Sequence, residues 1–135
     1  MPRIYLDTCV LRLACEAKED DERTRRARLE LDRENATFLY SKVLELELLP
    51  MPVRNKQLGQ VAYLREYFDS AEYIPCTEEA LEIAMTQGCE FGMSCADAMH
   101  VGLAMVGTAD ELVTAEGATK PMMQITSVPV RSIAI

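Results

Sequence analysis

Five short apolar, β-prone runs alternate with helix-patterned stretches along this chain, and that alternation leaves few folds open. The runs lie at 4–6, 37–40, 73–74, 112–114 and 128–135. Pro129 interrupts the last, which assigns it to a sheet edge because proline cannot donate to a ladder. Strand–helix–strand alternation predicts an α/β domain with a mostly parallel central sheet of four to five strands. A chain of 135 residues has room for one such core, so residues 1–135 are expected to form a single domain.

The helical stretches carry their own punctuation. Thr8 offers an N-cap to a short helix containing Val10, Leu11, Leu13 and Ala14. Residues 16–34 are dense in charge, with acids at 16 and 19–22 and arginines at 23, 25, 26, 28 and 33. They predict a solvated helix or a helical hairpin with the one before. Ser41 caps a helix that is apolar nearly all round, which predicts burial, and Pro50 and Pro52 end it. A longer amphipathic helix is expected over 54–70, with Leu58, Val61, Ala62, Leu64 and Phe68 inside. Thr77 opens a helix that stops at Gly88. Ser94 opens another that runs to Gly107.

Acidic residues outnumber basic ones 22 to 14, giving a net charge of −8. That balance argues against extended nucleic-acid binding through phosphate contacts. It does not exclude a carboxylate site that holds a divalent cation against a phosphate. No apolar run reaches the length of a membrane span. An acid at position 7 precludes a signal-peptide core, and five cysteines without a C-x-x-C pair fit reduced thiols, so a cytoplasmic protein is expected.

In parallel sheets, ligands bind beyond the carboxyl ends of strands. Asp7 follows the first strand, and Glu116 follows the fourth. Asp97 is the third residue after the cap Ser94, and Glu45 or Glu47 lies in the helix after the second strand. Four carboxylates from four segments are hard oxygen donors suited to Mg²⁺ or Mn²⁺. Glu45 and Glu47 point to nearly opposite sides of one helix, so one of them enters the site, and the helix pattern alone does not choose. Asp110 and Glu111 are expected in a solvated loop. His100, the single histidine, lies one turn after Asp97, so its ring could approach that carboxylate; packing in the core is the preferred role. Arg23, Arg25, Arg26 and Arg28 could guide a polyanion, but pairing with nearby acids is preferred. The eight methionines read as core filler, with Met122 and Met123 as candidates for a partner surface.

The chain resembles the PIN domain, the nuclease fold of VapC-type toxins. The matching segments are Ile4-Tyr5-Leu6-Asp7-Thr8, Ser41-Lys42-Val43-Leu44-Glu45-Leu46-Glu47, Asp97-Ala98-Met99-His100-Val101-Gly102-Leu103-Ala104, and Ala109-Asp110-Glu111-Leu112-Val113-Thr114-Ala115-Glu116. They occur in the family's order and span almost the whole chain. The resemblance implies a three-layer α/β/α fold and selects Glu47 over Glu45. It implies Asp7, Glu47, Asp97 and Glu116 as catalytic and metal-site acids, with Thr8 and Thr114 in support. Glu116 stands where the family usually has Asp, which makes direct ligation there less direct by one methylene.

The activity implied is a Mg²⁺- or Mn²⁺-dependent endoribonuclease that hydrolyses RNA. The implied partners are a small antitoxin protein and a second copy in a homodimer. A haloacid-dehalogenase-type phosphatase fits poorly, because Cys9 stands where that family needs a second Asp. A receiver domain lacks its acidic pair near Asp7. The alternative of a different class is a non-catalytic PIN-fold interaction module with a metal site weakened by Glu116.

Overall fold

The computed structural model describes residues 1–16 and 21–134. Its strands are β1 (Arg3–Leu6), β2 (Thr37–Tyr40), β3 (Glu72–Tyr73), β4 (Glu111–Thr114) and β5 (Val130–Ser132). Its helices are α1 (Thr8–Glu16), α2 (Glu22–Leu31), α3 (Lys42–Leu48), α4 (Pro50–Arg54), α5 (Leu58–Ser70), α6 (Glu78–Phe91) and α7 (Cys95–Val106), with a 3₁₀ turn at Pro121–Gln124. The strands form one wholly parallel sheet in the order β3-β2-β1-β4-β5. The fold is a PIN-like three-layer α/β/α arrangement.

β1 is the centre of the sheet. Tyr5 lies in register with Leu39 on one side and Leu112 on the other. Ile4, Tyr5 and Leu6 are fully buried, as are Leu39, Leu112 and Val113 in the neighbouring strands. A parallel strand covered on both faces needs this continuous apolar run. The proline-flanked β5 occupies one edge, as its sequence predicts.

Helix boundaries depart from the sequence reading in instructive places. Gly88 does not stop α6. It lies inside the helix against the Ala98 side chain, and the stop is Gly92, whose φ of +69° provides the left-handed C-cap. Pro50 ends α3 but also opens α4 as its first residue, where its missing N–H is harmless. The helix α3 is not enclosed: Leu44 and Leu48 are buried, while Leu46 is 74 % exposed. In α5, Leu58 and Ala62 face solvent and Tyr67 is buried instead, its hydroxyl donating to the Leu39 carbonyl. Met122 is buried rather than presented to a partner, whereas Met51 and Met85 are exposed rather than core filler.

The charged stretch resolves into paired charges. Arg25 and Arg26 bond Glu22, and Arg23 bonds Asp21. Arg28 differs: it donates to the Ala14 carbonyl and lies over the Tyr63 ring, tying α2 to α1 and α5. The acids at 19 and 20 lie outside the described residues, as does the last residue of the expected fifth strand. Glu111 is not a loop residue. It starts β4 and joins Glu30, Arg33 and Arg131 in a network linking α2, β4 and β5. Burial works to raise the Glu30 carboxyl, but the Arg131 and Arg33 hydrogen bonds outweigh it and hold the group below its ordinary range. Asp110 accepts the backbone N–H of Arg3 and so closes the start of β1.

The tightest helix contact joins α6 and α7. A Cβ on Gly102 would collide with the Ala80 carbonyl oxygen. Backbone cannot yield as a flexible side chain does, so Gly102→Ala is expected to cost about 1–3 kcal/mol. Gly59, with nothing nearby to meet a Cβ, is the control. Gly59→Ala should be neutral or stabilising by up to about 1 kcal/mol. Urea unfolding of the two variants beside the parent measures both.

Candidate active site

Chain order reverses between β1 and β4, because β2 and β3 extend the sheet on one side of β1 and β4 and β5 on the other. The crevice beyond the carboxyl ends of such a pair is where parallel sheets bind ligands. Asp7 immediately follows β1, and Glu116 comes two residues after β4.

Asp7 is the fixed point of this crevice. It is 4 % exposed. Its backbone N–H donates to the Val113 carbonyl at 2.8 Å, extending the β1–β4 ladder by one residue. Its own carbonyl accepts from Val10 at 3.1 Å, and its Oδ1 accepts from the Thr8 backbone N–H at 2.8 Å. Asp7 therefore precedes the first turn of α1, and Thr8 is the first helical residue rather than the cap. Oδ2 accepts from Thr114 Oγ1 at 2.9 Å and from the Cys9 thiol at 3.4 Å. Thr114 Oγ1 also accepts the Glu116 backbone N–H at 3.1 Å, which ties the loop after β4 to the same carboxylate.

Asp97 enters from α7, whose N-terminus is capped by Ser94 Oγ accepting the Asp97 backbone N–H at 3.3 Å. Its carboxyl is raised above the ordinary value, by burial first and then by the charges of Asp7 and, more weakly, Glu116; His100 opposes them. Three acids from three segments thus lie within electrostatic reach of one another. The fourth, Glu47, comes from α3 and shifts the other way. The His100 hydrogen bond lowers its carboxyl most, against burial, with help from Thr8 and Arg12. Glu47 Oε1 accepts from His100 Nε2 at 2.5 Å and from Thr8 Oγ1 at 2.7 Å. Glu45 instead pairs with Lys42 at 2.9 Å, away from these groups.

His100 is 1 % exposed, as its core role predicts, but it bonds Glu47 and lies 4.0 Å from Asp7 Oδ1 rather than turning to Asp97 as the helical spacing suggests. Its Nδ1 is 2.8 Å from the Tyr5 hydroxyl, which is 2.7 Å from Ser41 Oγ. Tyr5 and Cys9 contact the candidate site residues, and sequence reasoning misses both. The one signal for Tyr5 is a phenol within an otherwise aliphatic buried strand. Cys9 carries no motif. It contacts Asp7 and Thr114 and accepts the Ala115 N–H, and its thiol is pushed up to about 12 by burial and then by the Asp7 charge, so it stays a neutral thiol.

Two open grooves border the acids. One, of about 310 Å³, runs past Glu47, Arg12, Gln57 and Gln60. The other, of about 270 Å³, runs past Cys9, Arg12, Arg23 and Glu116.

Among the described residues, no three His, Cys, Asp or Glu side chains stand ready to grip a metal ion. The donor chemistry nevertheless fits a small divalent cation. The acids are hard oxygen donors, and Asp97 ionises against two neighbouring negative charges. A cation would relieve that repulsion.

Comparison with known proteins places the fold. No protein-family model matches the chain, and no curated protein matches it. Solved structures do. VapBC2 from Rickettsia felis, bound to a DNA fragment from their promoter, matches at a TM-score of 0.73 and 19 % identity, covering 96 % of this chain and 98 % of that one. A toxin–antitoxin complex from Klebsiella pneumoniae matches at 0.67 and 20 %, covering 93 % and 94 %. DNA-bound VapBC from Salmonella typhimurium matches at 0.66 and 17 %, covering 98 % of each chain. At this identity the likeness is one of fold, and it extends over nearly the full length, as the PIN resemblance implies. Among the described residues, no helix is long and apolar enough to cross a membrane.

The raised Asp97 carboxyl has a measurable consequence. The folded state holds that proton more tightly than the unfolded state, so ionised Asp97 costs stability above its raised value and nothing below the ordinary range. In chelator, Asp97→Asn is expected to melt a few degrees higher than the parent at pH 7. The gain should vanish as the pH falls below about 4. Thermal melts across that range measure it.

Proposed function

We propose that this protein is a metal-dependent endoribonuclease of the VapC type, the toxin of a toxin–antitoxin pair. The observation that carries this reading is the meeting of Asp7, Asp97 and Glu116 at the β1–β4 crevice, with Glu47 held beside them by His100. The likeness to VapBC chains supports it at the level of fold. In this reading the chain works in the cytoplasm, pairs with a small antitoxin and forms a homodimer.

Asp7, Asp97, Glu47 and Glu116 are the residues that would hold Mg²⁺ or Mn²⁺. When bound, such an ion supplies a water of lowered pKa and neutralises charge on the phosphate. The chain's own part is positional. Thr8 and Thr114 fix the carboxylates of Glu47 and Asp7 by donating to them, which keeps those oxygens in place without neutralising their charge. Arg12 borders both grooves beside the acids and offers a cation to RNA phosphate on either side. No nucleophilic side chain is needed, in keeping with the neutral Cys9 thiol.

A second reading, a PIN-fold interaction module without catalysis, is favoured by one observation: no three ligating side chains among the described residues already surround a cation position.

The test is cleavage of a mixed-sequence single-stranded RNA in Mg²⁺ or Mn²⁺, with and without chelator. Asp7→Asn and Asp97→Asn are expected to lower cleavage at least about a hundredfold while the fold is retained, since losing a metal ligand removes charge stabilisation at the phosphate. Glu47→Gln should cost far more than Glu45→Gln. Full activity in both aspartate variants overturns the site. Absence of both cleavage and Mn²⁺ binding in the parent favours the interaction module.

A further inference from the structure

Both hydrogen bonds to Glu47 fall on one oxygen. Thr8 Oγ1 and His100 Nε2 each donate to Oε1, and among the described residues Oε2 receives none. A carboxylate only accepts, so the ring proton facing Glu47 is on Nε2. In a neutral ring this leaves Nδ1 as the acceptor of the Tyr5 hydroxyl. Tyr5 in turn accepts from Ser41, whose Oγ also accepts the Leu44 N–H at the start of α3. The donors then run in one direction, from Ser41 through Tyr5 and His100 to Glu47. Ser41, Tyr5 and Thr8 around the ring are buried, Glu47 is partly exposed, and Ser41 belongs to the same turn that launches the helix carrying Glu47.

We propose that His100 is a positioning residue: the Ser41–Tyr5–His100 chain, with Thr8, anchors Glu47 Oε1 so that Oε2 is presented to the cation of the site. The proposal rests on the metal-dependent reading above. A glutamate on a half-exposed helix has three side-chain torsions to order. An anchored Oε1 removes most of that freedom before a ligand arrives. Partners behind a ligand commonly act in this way, and their loss weakens metal binding about 10–100-fold.

His100 is the only histidine, so the ring-nitrogen NMR spectrum of the whole protein reports this one side chain. In the metal-free parent it should show one fixed form with the proton on Nε2. Mn²⁺ titration by calorimetry then reads the consequence. His100→Leu should weaken Mn²⁺ binding about tenfold or more, and His100→Gln, whose amide N–H can replace Nε2–H, should recover most of the loss. Tyr5→Phe should leave the ring exchanging between its two forms, with a smaller loss of affinity. If His100→Leu does not fold, His100→Gln and Tyr5→Phe carry the test. A folded His100→Leu protein that binds Mn²⁺ like the parent overturns the proposal, as does a parent ring that samples both forms. A fixed ring in a parent that binds no Mn²⁺ overturns the metal reading instead and leaves the anchor supported by the spectrum.

Discussion

Strand β1 is hydrogen-bonded along both edges and covered on both faces, and the rest of the structure is arranged around that restraint. Its residues Ile4, Tyr5 and Leu6 have no exposed surface. Its ladder to β4 continues one residue beyond the strand, through the Asp7 N–H. The carboxylate at its end is therefore as rigid as the sheet. Burying a charge is costly unless it is paired or hydrogen-bonded. Asp7 meets that condition with donors from Thr8, Cys9 and Thr114, which come from both sides of the crevice.

The acids around that point are held in two different ways. Glu47 is stabilised as an anion by His100 and Thr8, whereas Asp97 is destabilised as one by burial and by its acidic neighbours. The repulsion on Asp97 comes from Asp7 and Glu116, whereas the Glu47 anchor comes from His100 and Thr8. The Glu30–Arg131–Glu111–Arg33 network, which includes Glu111 at the amino end of β4, is the contrasting case, because there opposite charges satisfy one another.

Much of the site was legible as residue type and spacing. Asp7, Asp97 and Glu116 follow from strand ends and a helix cap, and all three lie where that logic leads. The resemblance selects Glu47 over Glu45, which the helix itself does not, and the two differ in their partners, His100 and Lys42. Helix ends were less legible. Gly88 and Gly92 are chemically identical, and what distinguishes them is that α7 presses on the first while the second takes a positive φ. The exposed Leu46 and Leu58 show the same limit, because apolar periodicity names a face but not whether a neighbour covers it.

By itself the sequence determined the order of elements, the parallel sheet and the placing of carboxylates at strand ends. These follow from local rules: β-prone apolar runs, side-chain caps, and the exclusion of proline from inner strands. Only the tertiary structure decided which groups meet. The buried chain from Ser41 through Tyr5 and His100 to Glu47 joins residues as far as 95 positions apart. The Cys9 contact with Thr114 spans 105. Such contacts have no local signature, because they arise from the crossovers that bring β1, β4, α3 and α7 together.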